Sequence, residues 1–193
     1  MAEKPRILVI DDDPGIRDAF KEIFSPSRNQ PVYEKGAALF AKEASQPVAC
    51  PSEIYDVSIV ENGESGIKAV EQALENNLPY AVAFIDMNMT GIDGAETSRR
   101  IWELDRRIKI VIVTASGEYS RCDIISIARR KDLFYIRKPF TIEEIKQFAS
   151  ALVHHWTVDR EKEILVPDLK KSMQNSRKRC HFSVCWATMS PKN

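Results

Sequence analysis

Five apolar runs of strand length alternate with helical patterns along this 193-residue chain, and four of the runs lead into polar, chemically reactive side chains. The first run, residues 7–10, is continuously apolar, which is typical of a strand covered on both faces. Strands that alternate with helices favour a parallel sheet, because parallel neighbours need a crossover connection. We therefore predict an α/β fold with a doubly wound, five-stranded parallel sheet and helices on both faces.

The expected elements follow from hydrophobic spacing and from helix-start signals. Asp13 followed by Pro14 predicts an N-cap and the first helical position, and Thr141 with Glu144 predicts a capping box for the last helix. Asn62-Gly63 is expected to turn the chain before the second helix. The predicted strands are 6–10, 55–60, 80–85, 110–113 and 133–136. The predicted helices are at about 14–24, through 67–74, after a Gly91/Gly94 loop through 101–104, near 120–130, and from 141 onward.

Two stretches depart from this alternation. Residues 25–53 contain four prolines and a possible short helix, Glu34–Ala44, and connections this long are uncommon inside compact domains, so we interpret them as an insertion between helix 1 and strand 2. Residues 166–193 hold six basic residues against one acidic residue, a net charge of +5 in a chain whose formal net charge is zero. We predict one domain over 1–157, followed over 158–193 by the end of a connector helix and a basic, poorly ordered tail.

Composition limits the classes of function. The zero formal net charge argues against a nucleic-acid-binding body, although the basic tail could meet an acidic partner. The four cysteines show no secreted-type spacing, and no apolar run approaches the ~20 residues of a membrane span. We therefore expect a reduced, cytoplasmic protein with no membrane partner.

Polar groups follow four of the predicted strands, and these groups define the candidate site. In an open parallel sheet the carboxyl ends of neighbouring strands converge on one crevice. Carboxylates with a hydroxyl and an ammonium make a site for a divalent metal and a phosphoryl group, and Mg²⁺ prefers one or two carboxylates plus phosphate oxygens. The candidate residues are Asp11, Asp12, Asp86, Thr114 and Lys138.

The motifs that contain these residues resemble those of the response-regulator receiver domains of two-component systems, which have a flavodoxin-like fold. The resemblance covers roughly residues 4–157 and implies a three-layer α/β/α sandwich with strand order 2-1-3-4-5. Four segments carry it in order: Ile7-Leu8-Val9-Ile10-Asp11-Asp12-Asp13-Pro14, Phe84-Ile85-Asp86-Met87-Asn88-Met89-Thr90-Gly91-Ile92-Asp93-Gly94, Val113-Thr114-Ala115 and Lys138-Pro139-Phe140.

The resemblance also implies a role for each of these residues. Asp86 would be the phosphoacceptor, and Thr114 and Lys138 would contact the phosphoryl oxygens. Tyr135 would switch together with Thr114, and the Lys138-Pro139 peptide bond would be cis. Asp12 and Asp86 would bind Mg²⁺ directly, Asp11 would act mainly through a bound water, and Asn88 would offer its backbone carbonyl.

The implied partners are a sensor histidine kinase or a histidine phosphotransfer protein. Phosphorylation would change the surface of helix 4, strand 5 and helix 5, which could also form a homodimer. The chain departs from the family pattern at Thr90, where proline is common. We expect a less rigid loop there and no loss of chemistry. The insertion is expected to lie at the edge of the sheet opposite the site.

Two other interpretations stay open. Asp11-x-Asp13 with a later threonine and lysine is similar to the order in haloacid-dehalogenase-like phosphatases, in which Asp11 would be the nucleophile; Asp86 would then have no explanation. A non-catalytic interaction module with a vestigial site is the third interpretation. The receiver interpretation predicts a signalling switch, capable of autodephosphorylation, instead of an enzyme that turns over a substrate.

Overall fold

The computed structural model describes residues 4–25, 55–115 and 133–163. Its strands are β1 (Arg6–Ile10), β2 (Asp56–Val60), β3 (Tyr80–Asp86), β4 (Lys109–Ala115) and β5 (Phe134–Lys138). Its helices are α1 (Pro14–Ile23), α2 (Gly63–Glu75), α3 (Gly94–Leu104) and a C-terminal helix over 142–163. The predicted insertion, the predicted helix near 120 and the basic tail lie outside the described residues.

The five strands form one parallel sheet in the order β2-β1-β3-β4-β5. The α/β class, the strand number and the strand order predicted from the sequence are therefore confirmed. β3 lies at the centre and is buried along its whole length, whereas β2 at the edge is partly exposed, as its mixed sequence predicted. The register shifts once, between Arg6 and Ile7 where β1 meets β3.

The core lies in two layers, one on each face of the sheet, because successive side chains of a strand point to opposite faces. Leu8 and Ile10 pack on one face with residues of α2 and α3, including Val70 and Trp102. The other face packs against α1 and the C-terminal helix. Its buried residues include Ile7, Val9, Phe20, Ile23, Phe84, Ile145, Ala149, Leu152 and Trp156.

Local side chains fix where the helices begin. The Asp13 carboxylate accepts the Gly15 N–H at 2.7 Å, and Pro14 opens α1, as predicted. The Thr141 hydroxyl accepts the Glu144 N–H at 3.2 Å, while the Glu144 carboxylate accepts the Thr141 N–H at 2.7 Å, which confirms the capping box. Asn62 does not close a turn; its side chain accepts the Ser65 N–H and caps α2.

The chain divides into two compact units, Met1–Trp156 and Thr157–Asn193. The described part of the second unit, residues 157–163, is helical. Among the described helices, none has the length and apolar character needed to cross a membrane.

Candidate functional site

The register of the sheet brings the polar strand ends to one edge. Ile10, the last residue of β1, pairs with Ile85, so Asp11 and Asp86 follow at the same level of the sheet. Asp86 pairs with Val113, the residue before Thr114. At the next pair of strands, Lys138 lies opposite Ala115. Parallel pairing therefore places residues that are more than a hundred positions apart in sequence at a single crevice.

Three carboxylates form the centre of this crevice. One oxygen each of Asp11, Asp12 and Asp86 lies within 4.8 Å of the other two. Asp11 and Asp86 are buried, at 1% and 5% exposure, and Asp12 is partly exposed. Like charges at this separation repel strongly when they are shielded from water.

Lys138 bridges two of the carboxylates. Its Nζ lies 2.9 Å from Asp11 Oδ2 and 2.7 Å from Asp86 Oδ1. Burial works against the charged ammonium, but the hydrogen bonds to both carboxylates outweigh it and raise the pKa of Lys138. The peptide bond between Lys138 and Pro139 is cis, as predicted. One ammonium facing three carboxylates leaves an excess of negative charge.

That excess affects the protonation of Asp86. Burial raises the pKa of its carboxyl group, and the neighbouring charges of Asp11 and Asp12 raise it further. The hydrogen bond and charge of Lys138 act in the opposite direction but do not cancel burial. Asp86 therefore holds its proton more tightly than an ordinary aspartate, and a bound cation would favour its ionised form.

An arginine that the sequence interpretation did not include supports the loop after β1. Arg17 donates from Nη1 to the backbone carbonyls of Asp11 and Asp12, both at 2.8 Å, and the Asp13 N–H donates to Asp11 Oδ1 at 3.0 Å. Helical side chains tilt toward the N-terminus, so an arginine one turn after the N-cap can reach back to the preceding loop. The position of Arg17, one turn after the predicted N-cap Asp13, was the sequence signal that could have indicated this contact.

The loop after β3 is held at both of its ends. The Met87 N–H donates to the Val113 carbonyl at 2.8 Å, and the Gly94 N–H donates to the Met87 carbonyl at 3.0 Å. A Cβ on Gly94 would collide with the Asp86 carbonyl oxygen, so glycine is needed for this close approach. Within the loop, the Thr90 N–H and hydroxyl donate to Asp12 Oδ2 at 3.0 and 3.2 Å. The sequence interpretation did not foresee this contact.

The remaining predicted residues occupy defined places in the fold. Thr114 is buried at the end of β4, and its hydroxyl donates to the Ala115 carbonyl at 3.2 Å. Tyr135 is half-buried and packs against the core layer beneath α2 and α3. Asn88 is exposed in the loop after Asp86. The roles of these three residues in phosphoryl contact, switching and metal binding stay predictions.

The donor set at the crevice fits a hard divalent cation. All three acidic side chains offer carboxylate oxygens, which are the ligands that Mg²⁺ prefers, and a partly exposed site leaves room for the waters that it retains. A divalent ion would also offset the negative charge that Lys138 leaves uncompensated. Asp11, Asp12 and Asp86 are therefore the side chains that would hold Mg²⁺.

Comparison with known proteins assigns the family. The response regulator receiver domain model matches residues 40–150, which is more than half of the chain. The chain belongs to the response regulator receiver domain family, whose members are signalling switches. The two-component, flavodoxin-like resemblance expected from the four motifs is thereby confirmed.

Several curated relatives are response regulators or signalling proteins. Sporulation initiation phosphotransferase F of Bacillus subtilis is 26% identical over 142 residues, covering 73% of this chain and 87% of that protein. Response regulator MprA of a Mycobacterium species is 25% identical over 154 residues, covering 80% of this chain and 53% of that protein. The hybrid signal transduction histidine kinase L of Dictyostelium discoideum is 42% identical over 45 residues, which cover 23% of this chain and 3% of the kinase.

Solved structures show the same fold. A response regulator receiver domain protein (CheY-like) from Methanospirillum hungatei aligns with a TM-score of 0.57 at 19% identity, covering 81% of this chain and 99% of that chain. A structure described as an adenylate cyclase from Rhodopirellula baltica aligns with a TM-score of 0.61 at 16% identity, covering 85% and 98%. At these identities the likeness concerns the fold alone.

Proposed function

We propose that this receiver domain accepts a phosphoryl group on Asp86 in a Mg²⁺-dependent reaction, and that a histidine kinase or a histidine phosphotransfer protein donates it. The observation that carries the proposal is the cluster of buried Asp11 and Asp86 with partly exposed Asp12, in which the ammonium of Lys138 lies between Asp11 and Asp86. Three neighbouring carboxylates with a single ammonium between two of them do not stabilise a fold that binds no ligand. A cation and a phosphoryl group would use this arrangement.

In the proposed transfer, a carboxylate oxygen of Asp86 attacks phosphorus as the bond from phosphorus to the donor nitrogen breaks. The donor imidazole keeps the bonding electron pair, and Asp86 becomes an acyl phosphate. Phosphoryl transfer depends mainly on positioning and on stabilisation of charge. Mg²⁺, held by Asp11, Asp12 and Asp86 with the Asn88 carbonyl, would neutralise charge on the transferring group.

Lys138 supplies the movable positive charge. Its ammonium already lies 2.7 Å from Asp86 Oδ1, and its flexible stem allows it to follow a phosphoryl oxygen when Asp86 is esterified. Thr114 follows the residue that pairs with Asp86, so its hydroxyl can turn from the Ala115 carbonyl to a phosphoryl oxygen. Tyr135 would respond to that movement, and hydrolysis of the acyl phosphate would reset the switch.

The output surface is proposed to include β5 and the C-terminal helix, together with the predicted helix 4, which lies outside the described residues. Phe134 of β5 is exposed and meets Phe148 of the C-terminal helix edge to face, with ring centroids 6.4 Å apart. This aromatic pair could mediate a homodimer or partner binding after phosphorylation. The names of two relatives, a phosphotransferase and a histidine kinase, support a phosphorelay partner.

Uptake of labelled phosphoryl groups from acetyl phosphate tests the proposal. The wild-type chain should be labelled in Mg²⁺ and should stay unlabelled in EDTA. Asp86→Asn should abolish labelling, whereas Asp18→Asn, a matched change of an exposed carboxylate paired with Lys21 on α1, should leave it intact. Labelling that persists in Asp86→Asn, or steady turnover of phosphomonoesters that requires Asp11, would favour the phosphatase interpretation.

A further inference from the structure

Thr90 contacts the candidate site in a way that the receiver motif does not account for. Its backbone N–H and its side-chain hydroxyl donate to the same oxygen, Asp12 Oδ2, at 3.0 and 3.2 Å. Thr90 and Asp12 belong to loops that follow different strands, 78 positions apart in sequence. The two donors therefore tie the loop after β3 to the loop after β1.

Both loops are fixed independently of this contact. The backbone bonds of Met87 and Gly94 hold the loop after β3 against the sheet, and Arg17 holds the backbone of the loop after β1. Thr90 is followed by Gly91, whose φ of 91° lies in the left-handed region that favours glycine. The backbone of the two loops therefore places Thr90 beside Asp12.

The chemistry of residue 90 decides whether this contact can exist. Proline, which is common here in receiver domains, has neither a backbone N–H nor a hydroxyl, so it could donate neither hydrogen bond. Serine would retain both donors, and valine would retain only the backbone donor. A carboxylate has two oxygens with about four acceptor sites, so two hydrogen bonds leave Asp12 able to bind a cation as well.

We propose that Thr90 is a positioning residue that holds the Asp12 carboxylate in place for the divalent metal. The inference rests on the proposed metal site and extends it to a side chain at a position where receiver domains commonly have proline. Asp12 is the most exposed of the three acidic residues, so without a partner its side chain would sample several rotamers. Hydrogen bonds to a ligating carboxylate orient it, and their loss typically weakens metal binding about 10- to 100-fold.

Isothermal titration of the metal-free 193-residue chain with Mg²⁺ tests this inference. Thr90→Ser should bind Mg²⁺ as the wild type does. Thr90→Val should raise the dissociation constant for Mg²⁺ by up to about tenfold. This is the lower end of the usual range, because the backbone N–H of residue 90 still donates to Asp12. Thr90→Pro should weaken binding further. Should the proline variant fail to fold, the serine and valine pair alone decides the result.

A double substitution separates positioning of Asp12 from a general effect on the fold. In an Asp12→Ala background, Thr90→Val should have no additional effect on Mg²⁺ affinity. In the metal-free protein, Asp12→Ala should also shift the amide resonance of Thr90 upfield, because its carboxylate acceptor is lost. Equal Mg²⁺ affinity of Thr90→Val and the wild type would overturn the inference and leave the proposed function standing, whereas a wild type without Mg²⁺ binding would overturn both.

Discussion

Two groups of charged side chains in this molecule shift the pKa of a carboxyl group in opposite directions. On the exposed face of α3, Glu96 lies 2.7 Å from both Arg99 and Arg100. The hydrogen bonds from Arg99 and then Arg100 lower the pKa of Glu96 to about 2. At the sheet edge, burial is the main effect, and it raises the pKa of Asp86 although Lys138 is within 2.7 Å.

The two groups differ in how their charges are balanced and in their access to water. On α3, charges of opposite sign neutralise one another along one helix, in water, with each carboxylate facing a guanidinium. At the sheet edge, three carboxylates lie close together beside one ammonium that contacts two of them, and those two, Asp11 and Asp86, are buried. Buried groups with uncompensated charge are candidates for a functional site, so the imbalance supports the proposed metal and phosphoryl site.

Removal of the ammonium should have the largest effect on function. Lys138→Met should slow phosphorylation of Asp86 by about 10²-fold or more, the usual cost of losing one group that stabilises developing charge. Stopped-flow labelling with a small phosphodonor measures the rate. Lys68→Met, at an exposed position on α2, serves as the control and should react normally. A normal rate in Lys138→Met would place this lysine outside the reaction.

Mg²⁺ should relieve the imbalance and stabilise the fold. At a free concentration one hundred times the dissociation constant, it should stabilise the wild type by about 2.7 kcal/mol. In EDTA, Asp86→Asn should melt above the wild type because a neutral amide replaces a carboxylate whose charged form is disfavoured by burial. Mg²⁺ should then shift its melting temperature much less. A larger Mg²⁺ effect in Asp86→Asn would contradict the assigned ligand set.

The two groups should also respond to pH with opposite signs. The folded pKa of Asp86 is raised from 3.8, so its contribution favours folding below 3.8 and is lost as pH rises through the raised value. The folded pKa of Glu96 is lowered from 4.5 to about 2, so its contribution is present above 4.5 and is lost as pH falls toward about 2. Denaturant unfolding in EDTA, from about pH 2 to about pH 8, compared with Asp86→Asn and Glu96→Gln, isolates each contribution. If the contributions of Asp86 and Glu96 to stability changed with pH in the same direction, the contrast between the two groups would be refuted.

The smallest effect is expected on α3. Glu96→Gln should lower the melting temperature slightly, and the loss should vanish in about 1 M salt, where the screening length is about 3 Å. Phosphorylation and Mg²⁺ affinity should not change, because the pairs of Glu96 with Arg99 and Arg100 lie within α3. A large change in either property would mean that the charge group on α3 is coupled to the site.

Much of the fold could be predicted because its signals are local. The continuous apolar run at residues 7–10 predicted a strand covered on both faces, and Asp13-Pro14 and Thr141 with Glu144 marked helix starts; the structure confirms all three. β1 has the predicted bounds, and the ends of the other strands differ from the predictions by at most two residues. β3, β4 and β5 end later than predicted, because hydrogen bonding continues past the apolar side chains. The turn predicted at Asn62 is an N-cap, because an asparagine before glycine can serve either purpose.

The site could be predicted only in outline. Strand ends converge in any parallel sheet, so Asp11, Asp86 and Lys138 could be expected as neighbours before a structure was known. The contact of Thr90 with Asp12 depends on how two loops approach each other across space, and sequence spacing carries no signal for that. The paired bonds of Arg17 depend on where α1 lies, and its position one turn after Asp13 was only a partial signal for them.

Identification of the modified residue tests the central claim most directly. After exposure to a phosphodonor and Mg²⁺, borohydride reduction converts an acyl phosphate into a stable alcohol that peptide mass spectrometry can locate. The account predicts a single modified residue, Asp86, with none after Mg²⁺ is removed. Modification at Asp11, or at neither aspartate under conditions where Mg²⁺ binds, would contradict it.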